Sequence, residues 1–389
     1  MVDIAHQAAI NPAAARGAAA ARALVPLTAI EAGQWRALAQ RAIEPNGYYL
    51  PGWELAVSAA ARGRTDASAL GAFDGSSARL IGLMPVISLW RAWKIPLPAL
   101  VSAHPYGTLC SPLIDRAAPI EAATRLLQQA REAGAHALVL NDVALDGAAM
   151  NSFSQVLDRD GLKPRVLSSY IRASLDAMQD GETLLHEALG AKKLKELRRQ
   201  RHRLEEHGPV AFEVARKPDE IRPALETFLR LEASGWKGKR GTALIQHAGD
   251  ATFIRRAVPT LAETAQCEIV TLRAGAAPVA AGIVLRHQDR AFFFKLGVDE
   301  RFARYSPGVQ LTLDLTRHLC ADPSIASADS TASADHPMIN PIWRGRFAIG
   351  DVLIPLRRND PTVTLIRAAL VGLNVAHETA RCVVHLIRR

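Results

Sequence analysis

Three strand patterns follow one another almost without interruption in the second half of the chain, and this run limits the fold more than any other feature. Residues 268–273, 279–287 and 290–298 are apolar stretches separated only by 274–278 and by Gln288-Asp289. Connections this short join antiparallel neighbours, because a parallel pair needs a crossover of a dozen residues or more. The run ends at Ser306-Pro307-Gly308, where a helix start is marked twice: Ser suits the N-cap and Pro the first helical position. Apolar residues then recur at helical spacing to about Cys320. An antiparallel meander with a helix returning across it is the unit this segment specifies.

The rest of the second half supplies helices at about 181–206, 218–233, 249–264 and from 362 onward, and strands at 210–215, 325–328 and 352–356. In the first half, 69–73 and 80–88 form a hairpin across Asp74-Gly75-Ser76. Helices at 121–133 and 150–159 and strands at 137–141 and 165–175 follow. Both halves mix hairpins with helices, so the fold class is α/β (α+β), with mixed, mostly antiparallel sheets flanked by helices. A length of 389 residues suits two such units: a disordered Ala-rich leader over 1–25, a first domain over 26–165 and a second over 166–389.

Charge and cysteine usage remove several classes of function. Lys and Arg exceed Asp and Glu by 47 − 38 = 9, which favours an anionic ligand. Aromatic residues are only 5% and are not interleaved with the basic ones, so nucleic acid is not the expected partner. The four cysteines lie far apart with no Cys or His at zinc spacing, so no metal and no disulfide framework are expected. The longest apolar stretch, 80–90, is too short to span a bilayer, and no basic segment precedes an apolar run at the N-terminus. A cytoplasmic location is the expectation; the oligomeric state is not legible.

Several residues are placed to carry chemistry. The N–H groups of a helix beginning at Ser306 point outward at a positive dipole end, with Gly308 offering close approach and Arg301 and Arg304 adding charge: a cradle for a pyrophosphate. The basic run Lys192, Lys193, Lys195, Arg198, Arg199, Arg201 and Arg203 either lies solvated or meets a polyanion. Trp236 and Lys237 sit in a glycine-flanked loop suited to a substrate wall, and Lys295 interrupts an apolar strand, where an unpaired ammonium is costly. His336, with Asp335 beside it and Asp329 upstream, follows a short strand and is a candidate general base; Tyr305 is a candidate acid. The polar-aromatic loops at 46–49 and 104–107 are candidates for an acceptor groove.

The segment 291–314 resembles the GNAT superfamily of acyltransferases, in which a strand, a basic turn and a helix start hold acetyl-CoA. With 193–204 and Ser234-Gly235-Trp236-Lys237-Gly238 in the same order, 170–360 is similar to the CelD/BcsL group, related to the Fem aminoacyl transferases. The usual turn reads Gln/Arg-x-x-Gly-x-Gly/Ala; here Arg304 is followed by Tyr-Ser-Pro-Gly-Val. The resemblance implies two tandem GNAT-like domains, the first degenerate. It further implies transfer from acetyl-CoA or another acyl-CoA, held by Arg301, Arg304, Ser306, Gly308 and Val309, to a small-molecule or glycan acceptor touching Trp236, Lys237, Lys295 and Arg199. Polysaccharide or cellulose biosynthesis is the setting it suggests. The alternatives are a Fem-like aminoacyl transferase, with tRNA as partner, and a non-catalytic binding protein.

Overall fold

The computed structural model describes residues 24–75 and 77–387, with side chains to 376. The leader expected over 1–25 falls almost wholly outside the described residues, as does part of the 74–76 turn. The first half runs β1 (Val25–Pro26), α1 (Ala32–Gln40), α2 (Pro51–Ala60), β2 (Ser68–Phe73), β3 (Leu80–Ser88), α3 (Leu89–Trp93), β4 (Ala99–Ser102), β5 (Leu113–Ile114), α4 (Pro119–Glu132), β6 (Ala137–Ala144) and α5 (Ala148–Arg159). The second runs β7 (Arg165–Asp176), α6 (Gly181–Leu204), β8 (Val210–Ala215), α7 (Pro218–Ser234), α8 (Trp236–Lys239), α9 (Ala248–Ala262), β9 (Cys267–Ala274), β10 (Ala277–His287), β11 (Arg290–Val298), α10 (Pro307–Cys320), β12 (Ser327–Asp329), β13 (Gly345–Pro355) and α11 (Pro361–Ile387).

These strands form one sheet in the order β1-β2-β3-β4-β6-β13-β7-β12-β11-β10-β9-β8, with β5 added to β3. All pairs are antiparallel except two: β4 with β6, and β11 with β12. One strand at the centre crosses between the halves. β7, which follows the first half in sequence, lies against β12, whereas β13, near the other end of the chain, pairs with β6. β7 and β13 then pair with each other, so the sheet passes without a gap from one half to the other.

The core follows the same path. One cluster joins Trp35, Trp53, Phe228, Phe253 and Phe292, drawing α1 and α2 of the first half onto α7, α9 and β11 of the second. On the opposite face, α4 and α5 cover the first half of the sheet, while α6 and α10 cover the second.

Two departures from the sequence pattern have identifiable causes. The helix expected at 181–206 breaks at Gly190, whose φ of 70° and ψ of 162° no helix contains. β13 begins seven residues earlier than the apolar pattern at 352–356, because its early part carries glycines that permit close approach. A Cβ at Gly345 would lie 2.6 Å from the Ser174 carbonyl oxygen, and one at Gly350 would lie 2.5 Å from that of Ser168.

Candidate active site

β11 and β12 are paired only over 290–292 and 327–329; beyond this, the two chains part and leave one edge of β11 open. β11 stays joined to β10 as far as Val298, but its register steps from Ile283–Lys295 to Val284–Phe293, so Phe294 is an extra residue in a β-bulge. The bulge decides which groups face the gap. Residues two apart on a regular strand share an edge. Here Phe293 and Leu296, three apart, both turn carbonyls to the open side, where Thr331 Oγ1 donates to the first at 2.6 Å and Lys237 Nζ to the second at 3.0 Å. Phe294 is held in place by edge-on packing against Trp53, at 4.8 Å between ring centroids. An open strand edge of this kind accepts an extended ligand in place of the missing neighbour.

The first half supplies one wall. In the loop after β4, Tyr106 takes a φ of 60°, donates its hydroxyl to Asp250 at 2.8 Å and lies under the Arg64 guanidinium at 4.5 Å. His104 accepts the Tyr106 N–H at 3.1 Å; burial, reinforced by Arg64, pulls its pKa down to about 4, so it stays neutral at pH 7. The loop at 46–49 does not join this wall. Tyr48 and Tyr49 are fully buried, with Tyr48 pressed edge-on against Phe292 at 5.7 Å, so that candidate is a core segment.

The other wall is built on α7 and α8. Glu232 is buried on the apolar side of α7, and its Oε2 accepts the Leu244 N–H at 3.0 Å. Its Oε1 lies 3.3 Å from Lys237 Nζ and 3.4 Å from Lys295 Nζ. Burial, and then the Lys295 charge, lower the Lys237 pKa. Lys295 is thus a half-buried cation that also overlies the Tyr106 and Phe294 rings, at 5.8 and 5.6 Å. Trp236 is exposed, with Lys237 and Arg240 beside its ring. Turned the right way, the Asn340 amide accepts the N–H groups of both Asp335 and His336, at 3.2 and 3.3 Å. His336 is half-buried; burial holds its pKa below the usual histidine value, and the Lys237 charge adds to this. Asp335 is exposed, with a φ of 53°.

Of the residues singled out from sequence, Trp236, Lys237, Lys295 and His336 therefore converge, whereas the pyrophosphate set is rearranged. Ser306 takes a left-handed conformation (φ 53°) and its side chain makes no cap, so the first-turn N–H groups of α10 lack a side-chain acceptor. Gly308 is buried rather than open: a Cβ there would meet Leu296 at 3.1 Å and Val298 at 3.3 Å, so the glycine lets α10 pack closely on β11. Val309 is half-buried behind it. Arg301 turns to Asp299, 2.7 Å away, and Arg304 covers the Tyr305 ring at 4.6 Å. Tyr305 is buried with its hydroxyl 2.9 Å from His207 Nε2, which ties it to the end of the α6 segment instead of the open edge. Arg199 is exposed on α6. Cys110, Cys267 and Cys320 are free, and no metal-binding cluster occurs among the described residues.

The sequence does not single out Glu232, Thr331 or Asn340, whereas the 104–107 loop expected to line a groove supplies Tyr106. Glu232 had a signal: with Ile221, Leu225 and Phe228 it continues the apolar stripe of α7 at helical spacing, where an acid calls for a cation.

Gly238 fixes the turn that presents Trp236 and Lys237. A Cβ there would stand 1.8 Å from the Ala233 carbonyl oxygen, a backbone atom unable to yield. Gly238→Ala should detach Lys237 from Leu296 and lower stability by about 1.5–3 kcal/mol, the range of a charge-assisted hydrogen bond, as read by urea denaturation. An unaltered urea midpoint would show that α8 does not hold Lys237 against β11.

Residues 191–336, which include the bulged strand and the parallel pair that splays beside it, match the family described as the acetyltransferase (GNAT) domain. The chain thus carries a domain similar to the GNAT acetyltransferases, within a fold that it shares with FemX. The crystal structure of FemX superposes with a TM-score of 0.57 at 12% identity, over 87% of this chain and 98% of that one. The C-terminal domain of a putative lysylphosphatidylglycerol synthetase from Agrobacterium fabrum gives 0.53 at 12% identity, over 87% and 96%. A conserved protein of unknown function from Bacteroides thetaiotaomicron gives 0.52 at 11%, over 84% and 98%. At these identities the likeness is one of fold. No curated protein matches the sequence. Among the described residues, no helix is long and apolar enough to cross a membrane.

Proposed function

We propose that the chain transfers an acyl group from acetyl-CoA or another acyl-CoA to an amine or hydroxyl of a sugar, amino-sugar or amine acceptor. The observation that carries this reading is the open edge of β11, bulged at Phe294 and faced by the Tyr106 loop, Lys237, Lys295 and His336. The donor's extended arm takes the place of a neighbouring strand along this edge, while the uncapped first turn of α10 meets its pyrophosphate. The acceptor then approaches between Tyr106 and Trp236, and direct attack on the thioester needs no covalent enzyme intermediate. His336, an imidazole whose intrinsic range lies near neutrality, removes the proton as the new bond forms. The proposal keeps two units, 26–165 and 166–389, with the second carrying the donor. Polysaccharide biosynthesis remains the setting proposed from the CelD/BcsL resemblance, in the cytoplasm.

The first half is closed to a second donor. Its own parallel pair, β4 with β6, parts after Val101 and Val139, but the chain at Cys110 fills the gap: Cys110 N–H donates to the Asp142 carbonyl at 3.1 Å.

The test is thermal. Acyl-CoA at a hundred times its Kd should stabilise the folded form by about 2.7 kcal/mol and raise the Tm by several degrees. If acetyl-CoA, malonyl-CoA and longer acyl-CoAs all leave the Tm unchanged, the donor assignment fails.

A second reading, aminoacyl transfer from tRNA in the Fem manner, is favoured by one observation. Lys192, Lys195, Arg198, Arg199 and Arg203 are all exposed on α6, opposite the buried Leu194, Leu197 and Leu204. That face suits a row of phosphates.

A further inference from the structure

We infer that the acceptor held in this groove carries an anionic group, a phosphate or a carboxylate, which Lys237 and Lys295 grip together beside Glu232. The inference rests on the groove being the acceptor site, and it narrows what that acceptor is.

The reasoning is a count of charges and donors. Two ammonium groups lie within 3.4 Å of the same carboxylate oxygen, so the cluster keeps one positive charge. The other Glu232 oxygen is engaged by the Leu244 N–H and offers no further neutralisation. Asp250, on the Tyr106 side, accepts the Arg62 backbone N–H at 2.8 Å and the Tyr106 hydroxyl at 2.8 Å, and the Arg64 guanidinium over the Tyr106 ring offsets its charge. The two lysines bring six N–H donors. Lys237 gives one to Glu232 and one to the Leu296 carbonyl, and Lys295 gives one to Glu232 at most, leaving three. The side chains are 20% and 22% exposed, so these donors are reachable from the groove while much of their hydration is removed. Aromatic faces line the approach: Tyr106 and Phe294 beneath Lys295, and Trp236 beside Lys237. A partly dehydrated positive charge with free donors between rings suits an anion attached to a flat or cyclic body, and it repels an acceptor whose only charge is an ammonium.

The experiment titrates glucose, glucose 6-phosphate and glucuronate into the full-length protein by calorimetry, in the presence and absence of acetyl-CoA. At least one anion should bind at least about tenfold more tightly than glucose, and the arm that wins decides between phosphate and carboxylate. Lys295→Met and Lys237→Met should each remove that advantage and Lys295→Arg should keep it, while Arg159→Ala, exposed on α5 of the first half, should change nothing. Should a lysine variant fail to fold, the exposed Trp236 reports on the native triad. Glucose 6-phosphate or glucuronate should alter the fluorescence difference between the wild type and Trp236→Phe, and glucose should not. Equal affinity for all three sugars, or anion binding untouched by the lysine substitutions, overturns the inference. The donor test above is separate. An acyl-CoA shift without lysine-dependent anion binding leaves the acyltransferase reading standing and removes this one; lysine-dependent anion binding without any acyl-CoA shift does the reverse.

Discussion

Arg172→Met should destabilise the protein by about 3–5 kcal/mol, the cost typical of removing one partner from a buried ion pair. Arg172 lies on β7 with its side chain 0% exposed, paired with Asp329, which is 1% exposed. Its second terminal nitrogen donates to the Thr108 carbonyl at 2.5 Å and to the Thr108 hydroxyl at 2.8 Å. One side chain thus joins three parts of the molecule: the central strand β7, the end of β12, and the first-half loop that walls the groove. Without it, a carboxylate is left in the interior with no cation. The effect should reach the site as well, since Asp329 also accepts the Thr331 N–H at 2.9 Å and Thr331 is the residue that donates to β11. Urea denaturation at pH 7 measures the loss. Arg172→Met/Asp329→Asn should regain much of it, because the stranded charge is gone. A single variant within 1 kcal/mol of the wild type would mean that water enters and solvates Asp329, and the pair is then no clamp.

How much of this was legible beforehand depends on the range of the interaction. β3, β8 and β11 and the helix beginning at Pro307 follow from local pattern, because alternation, turn residues and a proline at the first helical position act within a few residues. What the sequence hides is the crossing of β13. It reads as the last strand of the second half, and only the register of a remote partner shows that it pairs with β6 of the first. The same limit applies to the site. Trp236, Lys237, Lys295, His336 and the polar-aromatic loop of Tyr106 stand out as residue types that are costly or unusual where they occur, whereas Thr331 and Asn340 are ordinary loop residues until folding places them around the open edge. The donor cradle was misread in detail for a related reason. A glycine next to a proline looks like room for a ligand, but Gly308 is used up by packing against Leu296 and Val298.

His336→Ala should lower kcat by roughly two to four orders of magnitude, the span typical of a lost general base, while acyl-CoA affinity stays within about twofold. The imidazole is placed for this role by its backbone. Asn340 pins the turn at both Asp335 and His336, and the Met338 N–H reaches His336 Nδ1 only at 3.4 Å, a contact weak enough to give way when the ring takes up a proton. The pH profile separates this role from a structural one. Burial and the Lys237 ammonium both disfavour the imidazolium, so the folded protein keeps the ring neutral, and able to accept a proton, to a lower pH than an unperturbed histidine near 6.5. The acidic limb of kcat/KM should therefore fall below that value. Lys237→Met removes the repelling charge, so it should move the limb to higher pH even as it weakens acceptor binding. His336→Ala should abolish the limb. If His336→Ala retains near-normal turnover with the limb in place, the proton leaves by another route. If the limb is lost in His336→Ala but stays fixed in Lys237→Met, His336 is the base and the two side chains are not coupled across the groove.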